Sequence, residues 1–199
     1  MTSIGVLSSL CWAESAAPSL DARELLKRGT IEVGAAAGYW QAVSAPFHAY
    51  SANRSAVFIM PRIGMVVTDE MKAGMWSGNL EVLMEPLFGQ FTEPVSAQLA
   101  GGSLVLKYNL LSFGRWIPFW DASVGLSWMN LVFPLIPEQS EQINFVLQTG
   151  PGVQYLLTPY LSLTIGIRYS HISDADIAEK NSGLNAVLPY AGLSWFLPW

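Results

Sequence analysis

The stretch LSLTIGIRYSHIS, residues Leu161 to Ser173, alternates without a break. Successive side chains of an extended strand point to opposite faces, so Leu161, Leu163, Ile165, Ile167, Tyr169, His171 and Ser173 share one face. Ser162, Thr164, Gly166, Arg168 and Ser170 share the other. An apolar face that ends in an imidazole and a hydroxyl is out of place on a water-soluble enzyme. It suits a membrane strand whose chemistry faces lipid.

Composition agrees. The chain has 199 residues, of which 51% are hydrophobic and 13% charged, and its mean hydropathy is positive. A membrane-spanning helix needs about 20 apolar residues in succession. The uncharged run from Ile143 to Ile167 is interrupted by Asn144, Gln148, Gly150-Pro151-Gly152, Gln154 and Thr158-Pro159, and its period is two. In hydrocarbon only helices and closed barrels satisfy every backbone group, so apolar segments of period two imply a barrel. The net charge of −5 leaves no basic stripe to neutralise phosphates, which excludes nucleic acid as a partner. A single cysteine, Cys11, excludes a disulfide framework and a cysteine metal site.

From Thr30 onward eight alternating segments are drawn, at residues 30–41, 56–67, 77–88, 97–110, 116–128, 143–156, 160–173 and 187–199. Each is long enough for a tilted strand of about 9–11 residues. One face collects Val33, Tyr39, Ile59, Ile63, Val82, Met84, Leu104, Leu106, Val124, Leu126, Phe145 and Leu147, the lipid side. The other collects Glu32, Arg62, Glu81, Glu85, Lys107, Asp121, Gln148, Gln154 and Arg168, a mixed set suited to pairing inside a narrow barrel filled by side chains. The expected fold class is therefore all-β, an eight-stranded antiparallel transmembrane β-barrel of the bacterial outer membrane, spanning residues 30–199.

With the N-terminus in the periplasm, odd strands run outward. Tyr39, Trp128 and Tyr169 then form an outer aromatic belt, and Tyr108, Trp116, Tyr155 and Trp199 an inner one. Long connections are expected after strands one, three, five and seven, with mostly shorter inner turns, Thr158-Pro159 the tightest. The ending at Trp199 resembles the aromatic-terminated last strand used by the outer-membrane insertion machinery, an expected partner. Residues 1–17 read as a secretory signal with a cleavage site near Ala13-Glu14-Ser15, although the basic start is missing. Either the start is placed too late or the signal is a weak one. Residues 18–29 are a periplasmic lead segment, in which Ser19 to Arg28 predict a brief helix opening at Ser19 and stopping at Gly29.

The seventh strand delivers His171 and Ser173 to the outer-leaflet interface on the lipid side. Their side chains are spaced about 7 Å along the strand, close enough to meet if the strand end bends or bulges. His171 deprotonating Ser173 for attack on a lipid ester carbonyl is the chemistry this pair allows. H-x-S by itself is a weak signal, and a hydrogen-bonded belt histidine is the plainer reading of the residues alone.

His171-Ile172-Ser173-Asp174-Ala175, then Asn181-Ser182-Gly183-Leu184-Asn185 and the closing strand, resemble the lipid A 3-O-deacylase or acyloxyacyl-hydrolase-like family of Gram-negative outer membranes. The resemblance extends over residues 30–199, including Gly102 to Asn109 and Thr149 to Tyr155. It implies hydrolysis of an ester-linked acyl chain of lipopolysaccharide through a Ser-His-acid triad on the outer surface, with His171 and Ser173 as its first two members. The third position, fourteen residues after the histidine, is Asn185, where the family has an acid. Asp174 stands where the family has an asparagine that helps hold the oxyanion. A carboxylate there repels an oxyanion unless it is protonated or turned away. Asp176 and Glu179 are alternative acids in the following loop.

The catalytic candidates are thus His171, Ser173 and Asn185, with no cofactor and no metal. His48 reads as a solvated loop residue. Gly101-Gly102 and Gly150-Pro151-Gly152 read as bends or close approaches rather than phosphate loops, since no Lys-Ser/Thr follows them. Lipid A and outer-membrane lipids are the expected partners, and a homodimer is left open. The rival is a catalytically degenerate, structural or adhesive barrel, favoured by Asp174 and Asn185. A solute channel is weaker, because eight strands leave a lumen that side chains fill.

Overall fold

The computed structural model describes residues 20–44, 53–137, 139–175, 177 and 183–197. Eight antiparallel strands close in sequence order into a barrel: β1 (Ile31–Ala42), β2 (Ser55–Val66), β3 (Gly78–Glu93), β4 (Ala97–Leu110), β5 (Trp116–Met129), β6 (Ile143–Leu156), β7 (Leu161–Ser173) and β8 (Leu184–Leu197). β1 pairs with both β2 and β8, so no edge is left unpaired. The alternation sets the faces as read from the sequence. Ile59, Ile63, Met84, Leu104, Leu126 and Ile165 are exposed on the wall, whereas Glu32, Glu81, Glu85, Lys107, Asp121 and Arg168 are buried within.

The lumen is filled in layers. At the end of the barrel where β1 begins, a single helical turn, α1 (Ala22–Leu25), is capped by Asp21, whose side chain accepts from the Arg23 amide. Ala22, Leu25 and Leu26 insert against Val66, Leu111, Ile117, Leu156 and Phe196. The helix is shorter than expected because burial of Leu25 and Leu26 draws the chain out of helical geometry at Leu26 (φ −87°, ψ 64°) and into the barrel mouth. Two ionic layers follow. Lys107 Nζ lies 2.8 Å from Glu32 and 3.0 Å from Glu81, and Arg168 bridges Glu85 and Asp121 while Arg62 also holds Glu85. Trp40, Phe58, Met60, Leu87, Phe91, Met129, Ile172 and Leu184 close the opposite end in an apolar layer.

One expectation about the connections is corrected. β3 runs on to Glu93 instead of stopping near residue 88, so only residues 94–96 join it to β4. The alternation continues through Gly89 to Phe91, and Phe91 is held in the apolar layer by an edge contact with Trp40 at 5.6 Å. The connection between β2 and β3 is residues 67–77, close to the 68–76 left between the segments drawn from the sequence. Gly150 and Gly152 stay within β6; a side chain on Gly152 would strike the Phe119 ring, so the element is a close approach and not a bend. Residues 1–17, His48 and Trp199 lie outside the described residues.

Candidate active site

β7 lies between β6 and β8, with His171 opposite Leu147 on one side and Asn185 on the other, and with Ser173 opposite Phe145. All five share the lipid-facing parity. The register is regular through both residues of the pair, so no bulge brings them together, and no His171–Ser173 hydrogen bond forms among the described residues. Meeting therefore depends on side-chain rotation.

The histidine is oriented by its neighbours. His171 Nδ1 lies 2.8 Å from Asn185 Oδ1, and Asn185 is 6% exposed although it faces outward. Since a carbonyl oxygen only accepts, this contact places the proton on Nδ1 and leaves Nε2 as the basic nitrogen. Asn185 Oδ1 also accepts a 2.5 Å hydrogen bond from the Tyr169 hydroxyl. Its main-chain oxygen accepts from the Val43 amide at 2.8 Å, which ties the start of β8 to the end of β1.

Gly183 completes the setting. Its φ of +67° lies in the left-handed region, and a Cβ built there would stand 2.7 Å from His171 Cε1. Ile172 pairs with Leu184, so continuing that register sets Gly183 beside Ser173. The imidazole thus leans toward the end of β7, where Ser173 lies. Behind it, Gln139 Nε2 donates to the Ile172 carbonyl at 3.3 Å, packing the β5–β6 connection against the strand end.

The structure thus brings His171 and Asn185 into contact and sets Ser173 on the same face. Asp174 is 1% exposed and follows the inward parity, so its carboxylate is turned away from the face that carries Ser173. Asp176 and Glu179 lie outside the described residues. Tyr169 and Gly183 were not read from the sequence as parts of a site. Tyr169 passes there for a belt aromatic, and Gly183 is one residue of a motif whose contact only the fold reveals.

A family model described as lipid A 3-O-deacylase (PagL) matches residues 27–194. No curated protein matches the sequence. Among solved structures, the outer membrane enzyme PagL superposes with a TM-score of 0.55 at 15% identity, covering 81% of this chain and 97% of that one. Neisserial surface protein A gives 0.54 at 19%, covering 84% and 98%. The N-terminal β-barrel domain of Pseudomonas aeruginosa OprF gives 0.53 at 14%, covering 85% and 98%. At these identities the structural likeness establishes the eight-stranded outer-membrane barrel, shared by an enzyme and a surface protein alike.

Proposed function

The chain belongs to the lipid A 3-O-deacylase family of the Gram-negative outer membrane, and from that membership we propose that it hydrolyses the 3-O ester-linked acyl chain of lipid A through Ser173 and His171. The observation that carries this reading is the lipid-facing His171, whose Nδ1 is held by Asn185 at 2.8 Å and whose ring leans toward the Ser173 end of the strand. Lipid A, resident in the outer leaflet, reaches this face by lateral diffusion. The lumen, closed by its own side chains, offers no route.

In the proposed reaction His171 Nε2 takes the Ser173 proton as Oγ attacks the ester carbonyl carbon. The tetrahedral intermediate expels the sugar alkoxide, which receives that proton from the imidazolium, and the acyl group remains on Ser173. Water, deprotonated by the same nitrogen, then releases the fatty acid and restores the serine. Asn185 orients the ring but brings no negative charge to stabilise the imidazolium that forms during attack. The proposed enzyme is accordingly slow. A catalytically silent barrel is the alternative that this neutral Asn185 favours.

The deciding experiment incubates the purified protein with lipopolysaccharide and follows lipid A mass. Loss of one acyl chain is expected with the native protein and not with Ser173→Ala. Unchanged hydrolysis by the variant would remove Ser173 as nucleophile, and no hydrolysis by the native protein would favour the silent barrel.

A further inference from the structure

Asn185 has an amide where an acid would present oxygen on both sides, so its usefulness to His171 depends on which way the amide faces. With the oxygen toward Nδ1 the histidine carries its proton there and Nε2 is free to accept from serine. With the nitrogen toward Nδ1, that ring atom must accept instead, the proton moves to Nε2, and the base is lost. Tyr169 bears on this choice. Its hydroxyl lies 2.5 Å from Asn185 Oδ1, a separation that suits an O–H···O bond and is short for an N–H···O bond. Tyr169 projects from the lipid-facing wall at the outer belt, 44% exposed, and among the described residues its hydroxyl proton goes to Asn185 Oδ1 and to no other acceptor. One carbonyl oxygen has two lone pairs, enough for the Tyr169 proton and the His171 Nδ1 proton together.

We propose that Tyr169 is a positioning residue that locks the Asn185 amide with its oxygen toward His171 Nδ1, and so selects the histidine tautomer able to act as a base. The inference deepens the proposed deacylase reading and, for its kinetic consequence, rests on it. Turning the amide over strands the phenol proton on a lipid-facing surface. Tyr169→Phe removes that penalty and leaves ring, packing and belt position unchanged.

Two measurements test it. The first needs no activity. The chain has two histidines, so His48→Gln leaves His171 alone, and imidazole 15N shifts of the detergent-solubilised barrel then report its tautomer. The expected result is a proton on Nδ1 in the parent, shifting to a mixture with Nε2 on adding Tyr169→Phe. An unshifted tautomer overturns the lock. The second is a double-mutant cycle on lipid A hydrolysis. Tyr169→Phe is expected to lower kcat up to about tenfold, the equivalent of one neutral hydrogen bond, in the native background. In Asn185→Asp, where both side-chain atoms are oxygen and orientation no longer matters, it leaves the rate unchanged or raises it. Equal losses in both backgrounds would reduce Tyr169 to a packing role and overturn the proposal. If the native protein hydrolyses nothing, the functional reading fails, and the tautomer measurement still decides the fate of the lock.

Discussion

Gly183 and Asn185 hold His171 from two directions, and each makes a separable prediction. Gly183→Ala forces an L side chain into the left-handed region and drives its Cβ into the imidazole. The expected outcome is a fall in lipid A hydrolysis of about 10- to 100-fold, the scale of a displaced catalytic group. Gly114→Ala is the control. Its φ of +63° imposes the same backbone cost at the opposite mouth with nothing near the new methyl, so hydrolysis there should be unaltered. Asn185→Ala is expected to slow the reaction. The isosteric Asn185→Asp, which keeps an oxygen at the observed position and adds charge beside the imidazolium, should accelerate it; equal rates in all three proteins would mean that Asn185 does not orient the base. Not all of this site was visible in the sequence. His171 and Ser173 share a parity, which a period of two fixes locally. The contact of Tyr169 with Asn185 depends on the register between β7 and β8, which no local pattern specifies, and Asn185 itself entered only through family resemblance.

Strand identity was legible from the alternation, whereas the pairing of charges inside the lumen was not. A period of two assigns every residue to a face, so Glu32, Lys107 and Arg168 were placed inward correctly. Which charge meets which depends on strand tilt and shear, since Lys107 and Glu32 are brought together across the lumen from β4 and β1, three strands apart. β3 continues past its expected end through Gly89, which weakens the strand signal but whose small size accommodates the Phe58 ring. The lumen predicts its own fragility. Lys107→Met leaves the buried Glu32 and Glu81 without the cation between them, and removal of one partner from such a site costs about 3–5 kcal/mol. A lower urea midpoint for the protein folded in lipid vesicles is the expected readout. Substituting Lys27, whose pair with Glu24 is exposed, should shift it by far less.

At the scale of the whole molecule, β1 hydrogen-bonds to β8 and the sheet has no edge from which to unzip. Unheated protein in detergent is therefore expected to migrate faster on gels than boiled protein and to give a β-type circular dichroism spectrum; identical migration or a helical spectrum would contradict the closed barrel. The Ser173→Ala and Gly183→Ala proteins should retain the shift, which separates loss of chemistry from loss of assembly. The double stopper, α1 with Leu26 below and the Trp40–Phe91 layer above, has a consequence for the cell that carries this barrel. Each copy adds protein to the permeability barrier without adding a leak, so single barrels in a planar bilayer should pass no ionic current. High expression should leave sensitivity to small hydrophilic antibiotics where it was.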